Sequence, residues 1–259
     1  MCLILFAYKV HPFYRLIVAA NRDEFYERPS SPAEFWADAP QVLAGRDLKE
    51  GGVWMGITRE GKFAAITNYR DPAAIKTGAP SRGKLVSNFL KGGENAENYL
   101  EKISRQAYKY NGFNVICGDN KDIFVYSNRG EKQKLTAGIY GLSNRLLDSP
   151  WPKVLRGKKA LAEALHDKGD TLEEALFKIL ANRKVAPDNK LPSTGIGLEW
   201  ERLLSSIFIA SPSYGTRSST VLLIGRNRLV RFVEKIFDGQ RVPWLESRFS
   251  FRLTKVAHQ

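Results

Sequence analysis

Apolar residues come in short runs at the start of the chain. LILFAY (residues 3–8) precedes a polar turn over Lys9–Pro12, and YRLIVAA (14–20) follows it. Runs of this length around a Pro-bearing turn predict a hairpin of inner strands. Residues 25–50 read as irregular, because Pro29, Pro32 and Pro40 break any helix. VWMGIT (53–58) and KFAAITNY (62–69) predict a second hairpin, with Gly61 suited to a left-handed turn position. The period then changes. Ser81–Gly92 carries Leu85, Val86, Phe89 and Leu90 as a helical stripe, and Asn95–Tyr108 is a second amphipathic stretch. Strands resume at FNVICG (113–118), DIFVYSN (122–128) and GIYGLSN (138–144). Trp151–His166 and Thr171–Leu180 predict helices, with Thr171 and Glu174 at capping-box spacing. SSIFIAS (205–211), STVLLIG (219–225) and RLVRFVEKIF (228–237) close the chain as strands.

Strands and helices thus come in blocks and not in βαβ alternation. That order predicts an α+β protein with two mainly antiparallel sheets between helix pairs, a four-layer αββα sandwich. No repeat or linker divides the chain, so residues 1–259 read as a single domain. An apolar fraction of 43% excludes general disorder. Cys2 and Cys117 form no CxxC and no disulfide framework, which suits a reducing, cytoplasmic location. No stretch reaches the roughly 20 apolar residues of a membrane-spanning helix. Lys9, His11 and Arg15 interrupt the opening apolar segment, which argues against a signal peptide. The net charge is +13, with a marked basic excess after Thr216. Such a balance can attract nucleic acid, acidic lipid or an anionic small molecule, but no RNA-binding signature accompanies it, and a soluble basic surface is the simpler reading. Nothing marks an oligomeric state.

Cys2 is the sharpest candidate for chemistry. Removal of Met1 would place a thiol and a free α-amine on one residue, nucleophile and base together. Asn21-Arg22-Asp23-Glu24 ends the second strand, and a hairpin returns it beside Cys2. Asp23 can then position the α-ammonium, and Arg22 can hold an anion or pair with an acid. Asn68 and Asn144 each stand at a strand end as neutral donors suited to an oxyanion. Gly215-Thr216-Arg217-Ser218-Ser219-Thr220 reads as a loop able to bind carboxylate or phosphate. His11, His166 and His258 are scattered, which argues against a His-centred triad or a His-rich metal site; His166 and His258 read as surface residues. Cys117 reads as buried core.

Met1-Cys2, Asn21-Arg22-Asp23-Glu24, Gly51-Gly52-Val53-Trp54-Met55-Gly56, Ile66-Thr67-Asn68, Gly141-Leu142-Ser143-Asn144 and Gly215–Thr220 occur in this order. In this ordered set the chain resembles the NRDE family, also called the transport and Golgi organisation protein family. That family is in turn similar to N-terminal nucleophile hydrolases of the cysteine amidase type. The resemblance implies the αββα sandwich and a set of roles. Cys2 matches the nucleophile, Asp23 the aspartate that steadies the α-amine, Asn68 and Asn144 the oxyanion-side asparagines, and Arg217 a late active-site arginine. Asn21, Arg22, Glu24 and Trp54 would contact substrate. Val53 and Met55 stand where the family pattern has Thr and Leu. Ala20 stands where the amidases carry an arginine, and here the arginine is Arg22.

Two functions follow as expectations. One is hydrolysis of a small-molecule amide or thioester by Cys2, with no cofactor required and no metal site. The other, implied by the family's association with haem trafficking and lipid metabolism, is a non-catalytic carrier of haem or acyl-CoA. Cys2, His11 and Met55 have side chains able to ligate iron, although His11 and Met55 read more simply as structural residues.

Overall fold

The computed structural model describes residues 2–239 and 242–254. Met1 and His258 lie outside the described residues. β1 (Cys2–Tyr8) and β2 (Tyr14–Phe25) form the predicted hairpin, with Cys2 opposite Arg22 and Tyr8 opposite Leu16.

The stretch expected to be irregular is instead a pair of strands, β3 (Ser30–Trp36) and β4 (Ala39–Asp47). The prolines that exclude helix are accommodated. β3 is an edge strand, Pro32 sits where its register shifts, and Pro40 lies next to the tight turn into β4. β5 (Met55–Thr58) and β6 (Phe63–Asn68) form the second hairpin, and Gly61 has φ +90° as anticipated.

α1 (Gly83–Lys91) and α2 (Ala96–Ser104) follow, α2 capped by the Asn95 side chain, which accepts from Asn98 N at 2.9 Å. Then come β7 (Phe113–Gly118), β8 (Ile123–Ser127), the short β9 (Lys132–Lys134) and β10 (Gly138–Leu142). α3 (Pro152–Ala164) and α4 (Gly169–Leu180) are the second helix pair. The expected capping box is not formed: α4 starts two residues before Thr171, inside the helix, and Lys168 at the N-cap makes no side-chain cap.

α5 (Leu198–Leu203) is a single short helix. Ser205–Ser211, expected as a strand, makes only an isolated bridge at Ala210–Gly215. Its amides bond elsewhere, Phe208 N to Asn182 O and Ile209 N to Thr216 Oγ1, while Ile207 and Ile209 fill core beneath the helices. Gly215–Thr220, expected as a loop, belongs to β11 (Tyr214–Gly225), with a bulge at Arg217. β12 (Leu229–Ile236) and the alternating edge strand β13 (Leu245–Arg252) complete the chain.

The first sheet has the order β10-β1-β2-β11-β12-β13 and the second β3-β4-β5-β6-β7-β8-β9, every pairing antiparallel. Alternation along each strand gives three apolar layers. Ile4, Phe6, Val18, Met55, Ile57 and Leu222 pack between the sheets. The α1–α2 pair buries its stripe on the second sheet, and the α3–α4 pair buries Val154, Leu161, Leu172 and Leu176 on the first. This is the αββα order that the block pattern predicts. Among the described residues no helix is long and apolar enough to cross a membrane.

Candidate active site

β1 opens at Cys2, β6 closes at Asn68, and the chain leaves β10 through Ser143 and Asn144. These strand ends meet at one edge of the sandwich. Cys2 and Asn68 border a cavity of about 260 Å³ whose walls also include Arg22, Asp23, Trp54 and Arg82, with Glu24 and Arg28 also on its wall.

Arg22 projects between the sheets, on the same face of β2 as Ala20. The shift of the arginine from position 20 to 22 therefore keeps the face and moves the charge toward the strand end. Ala20 remains apolar core. Arg22 is 5% exposed; it lies over the Trp54 ring at 4.8 Å and pairs with Asp47 Oδ2 at 3.5 Å. Its Nη1 has no hydrogen-bond partner among the described residues. Asp47 also accepts from Arg28 Nε at 2.5 Å. Burial pushes the Asp47 carboxyl up, but this bond and a backbone N–H donor hold it below its ordinary value.

Cys2 is half-buried at the cavity wall. Burial pushes its thiol up; the negative charge of Asp23 adds to that, whereas Arg22 and the Asp23 backbone N–H favour the thiolate. Asp23 is 1% exposed, and its Oδ1 accepts from Thr216 Oγ1 at 2.8 Å. Burial raises its carboxyl, opposed first by the Lys153 ammonium and then by the Thr216 bond and Arg22.

Asn68 lines the cavity with Cys2. Asn144 stands behind it, fully buried, and donates through Nδ2 to Asn68 O at 2.9 Å. Ser143 Oγ donates to Cys2 O at 3.1 Å, so the Ser143–Asn144 pair ties the start of β1 to the strand end that carries Asn68. Trp54, Arg22 and Glu24 are all on the cavity wall, where the sequence placed substrate contacts.

Two expected site residues lie elsewhere. Asn21 is buried toward the helices; its Nδ2 donates to Leu180 O and Ile207 O at 2.9 Å each, and its Oδ1 accepts from Ser219 Oγ. Arg217 does not line the cavity. Its Nη1 donates to the carbonyls of Phe25, Tyr26 and Arg28, and its Nε to Phe237 O. It pins the turn that leaves β2. The bulge explains this: Arg217 is the residue without a partner in the register between β11 and β2.

His11 follows the far end of β1 from Cys2, where its ring accepts from the Tyr14 amide and reaches Asp167 O. Met55 is buried in the core between the sheets. The three iron-capable side chains are therefore not brought together. Among the described residues no cluster of three His, Cys, Asp or Glu side chains could hold a metal.

Asp47, Arg28, Arg82 and Lys153 are polar neighbours that sequence reasoning missed. Lys153 follows Trp-Pro at the start of a helix and reads as an ordinary surface lysine, yet it is 1% exposed.

These features define the class. The chain is an αββα sandwich of the N-terminal nucleophile hydrolase type, with a cysteine at the start of a central strand. Its fold is similar to that of the Caenorhabditis elegans N-acylethanolamine-hydrolyzing acid amidase ortholog, with a TM-score of 0.52 over 86% of this chain and 92% of that one at 11% identity, a likeness of fold alone. The chain belongs to the Transport and Golgi organisation 2 family, whose model matches residues 1–239. It is 40% identical to the Transport and Golgi organization protein 2 homolog of Bos taurus, covering 98% of this chain and 99% of that one. It is 39% identical to the homolog of Homo sapiens, covering 98% and 99%.

Proposed function

We propose that the protein is a cysteine N-terminal nucleophile hydrolase acting on an amide or thioester of a small anionic molecule. The observation that carries this reading is the convergence on one cavity of Cys2, Asn68 and Arg22, whose Nη1 has no hydrogen-bond partner among the described residues. With Met1 removed, the Cys2 α-amine takes the thiol proton and the sulfur attacks the carbonyl carbon. The Asn68 side chain donates to the oxyanion, with the Asn68 backbone carbonyl tied by Asn144 Nδ2. The leaving amine or thiolate departs with the proton from the α-ammonium, and water then releases the acyl group from sulfur. Arg22 holds the anionic end of the substrate.

The carrier reading uses the same guanidinium and needs no turnover. The cavity, at about 260 Å³, falls below the roughly 300–1,000 Å³ of drug-sized ligand sites, which suits a compact acyl donor better than a haem macrocycle.

The test begins with intact mass, which is expected to show loss of Met1. Wild type and Cys2→Ala are then incubated with amides, thioesters, haem and acyl-CoA. Wild type is expected to turn over a substrate through a mass adduct on Cys2, and Cys2→Ala to turn over none while folding normally. Turnover indifferent to Cys2→Ala would reject the hydrolase. Saturable binding of haem or acyl-CoA without turnover would establish the carrier instead.

A further inference from the structure

A buried cation lies on the helix side of the first sheet, and the chemistry above does not use it. Lys153 is in the first turn of α3. That helix sits close over β1 and β10 because Gly141 and Gly157 leave no room for a side chain: a Cβ on Gly141 would meet Val154, and one on Gly157 would meet Leu5. Lys153 is thereby carried beneath the paired strands that present Cys2 and Ser143. Its ammonium is 1% exposed, and its Nζ has no hydrogen-bond partner among the described residues.

This placement is costly. A buried ammonium loses several kcal/mol of hydration. The first turn of a helix, where amide dipoles present positive charge, penalises a cation further. The groups that act on it narrow the compensation to one residue. Arg70 and Arg156 are cations and repel it, whereas Asp23 and, less strongly, the Cys2 thiol attract it. Arg70 already has its own acid, Glu201, at 2.6 Å. Asp23, on the face of β2 toward this helix layer, is the carboxylate that attracts it most strongly. Burial drives the Asp23 carboxyl up, and Lys153 opposes that more than any other group.

We propose that Lys153 is a positioning residue of the Cys2 site: its buried ammonium is the countercharge that keeps Asp23 ionised beneath the start of β1. An ionised Asp23 can orient the α-amine of Cys2, and the nearby ammonium disfavours a second cation there, so the amine is free to act as base. The inference rests on the hydrolase reading for its purpose. The charge relationship stands or falls separately.

The groups that face this cluster are Asp23 and Arg22 from β2, Cys2 from β1, Tyr214 from β11, Arg70 after β6, Arg82 before α1, and Arg156 on α3 itself. The experiment is carbon-13 NMR titration of Asp23 and Lys153 in the full chain, in wild type, Lys153→Met, Lys153→Arg and Asp23→Asn. In parallel, iodoacetamide alkylation of Cys2 is followed against pH. Asp23 is expected to be ionised at neutral pH in wild type, with its midpoint rising by about one pH unit or more in Lys153→Met and staying low in Lys153→Arg. In Asp23→Asn the Lys153 midpoint is expected to fall by about one unit or more. The alkylation midpoint of Cys2 is expected to rise by about half a unit in Lys153→Met, about three-fold slower reaction at neutral pH, with recovery in Lys153→Arg.

A protonated Asp23 at neutral pH in wild type would overturn the proposal, as would an unmoved Asp23 midpoint in Lys153→Met or an unmoved Lys153 midpoint in Asp23→Asn. A shift in Asp23 with no change in Cys2 alkylation would reduce Lys153 to a structural charge and overturn its positioning role. If Lys153→Met does not fold, the wild-type and Asp23→Asn titrations decide. Both readouts are independent of turnover, so loss of the hydrolase reading leaves them interpretable.

Discussion

The two helix layers are built alike and filled differently. α1 and α2 bury Leu85, Val86, Phe89, Leu90, Tyr99, Leu100 and Ile103 on the second sheet, with Ser87 their one buried polar residue. α3 and α4 cover the first sheet with a similar apolar stripe, but Lys153 and Glu173 are buried in it. Asn21, Asp23, Thr216 and Ser219 are buried in the strands of that sheet. Glu173 meets Arg231 and Arg248 at 3.1 and 2.7 Å, so it is paired. Lys153 is not paired in that way. Buried polar groups cost stability unless satisfied. Glu173 lies toward the other end of the sheet, but Asn21, Asp23, Thr216, Ser219 and Lys153 gather at the Cys2 end, which marks where the fold carries more than packing.

The comparison breaks most sharply at Phe89. It is 1% exposed and packs on Tyr99 at 5.2 Å between centroids. Phe89→Ala is expected to cost about 3–5 kcal/mol in denaturant unfolding. The folded fraction should keep its Cys2 alkylation rate, because Phe89 does not line the cavity and that layer reaches the site only through the start of α1, at Arg82 and Gly83. A change in that rate would show that the two halves are not separate.

Glu234 tests the polar half. It is buried between the sheets, where its Oε2 accepts from Ala33 N at 2.7 Å, and burial pushes its carboxyl up to about 7. Because the folded value lies above the ordinary 4.5, its contribution to stability is complete below about 4.5, is lost as pH rises to about 7, and changes no further above. Glu234→Gln keeps the acceptor and removes the titration. It is expected to be more stable than wild type by about 1–3 kcal/mol at mildly alkaline pH, with the gain vanishing in acid. Urea midpoints across that range measure it; a pH-independent difference would contradict the assignment.

Much of this division was legible in the residues. Short apolar runs gave the β1–β2 and β5–β6 hairpins, and the stripe Leu85–Leu90 gave α1. Cys2, Arg22 and Asp23 were readable because a hairpin must return the end of β2 to the start of β1, and Asn68 because it is a neutral donor at a strand end. β3 and β4 were hidden by prolines that an edge strand tolerates. Ser205–Ser211 is apolar enough for a strand, but its amides are taken by Asn182 and Thr216, a tertiary choice with no local signature. Lys153 was invisible because nothing local distinguishes a buried lysine from a solvated one.

Arg217 shows the same limit from the other side. The arginine expected in the active site is a clamp on four backbone carbonyls. Arg217→Ala is expected to cost about 1–3 kcal/mol in stability, because those acceptors lose a charged donor. Affinity for an anionic ligand should fall far less than in Arg22→Met, measured by titration of the same ligand into both. Equal losses would return Arg217 to the site.

The smallest effect separates the two layers at their helix starts. Asn95 and Thr171 are both residue types that cap helices, and both stand near the beginning of one. Asn95 is a true cap: it has extended backbone at φ −71° and ψ 165°, and its side chain accepts from Asn98 N. Thr171 is already within α4 and exposed, so its hydroxyl has no free first-turn amide to receive. Asn95→Ala is expected to cost about 1 kcal/mol. Thr171→Ala is expected to stay within about 0.5 kcal/mol, since it touches no cap and alanine is the better helix former. Chemical denaturation of the two variants side by side resolves this difference. A Thr171→Ala loss as large as that of Asn95→Ala would mean that α4 begins at Thr171 in solution, and that the spacing of Thr171 and Glu174 is a capping box after all.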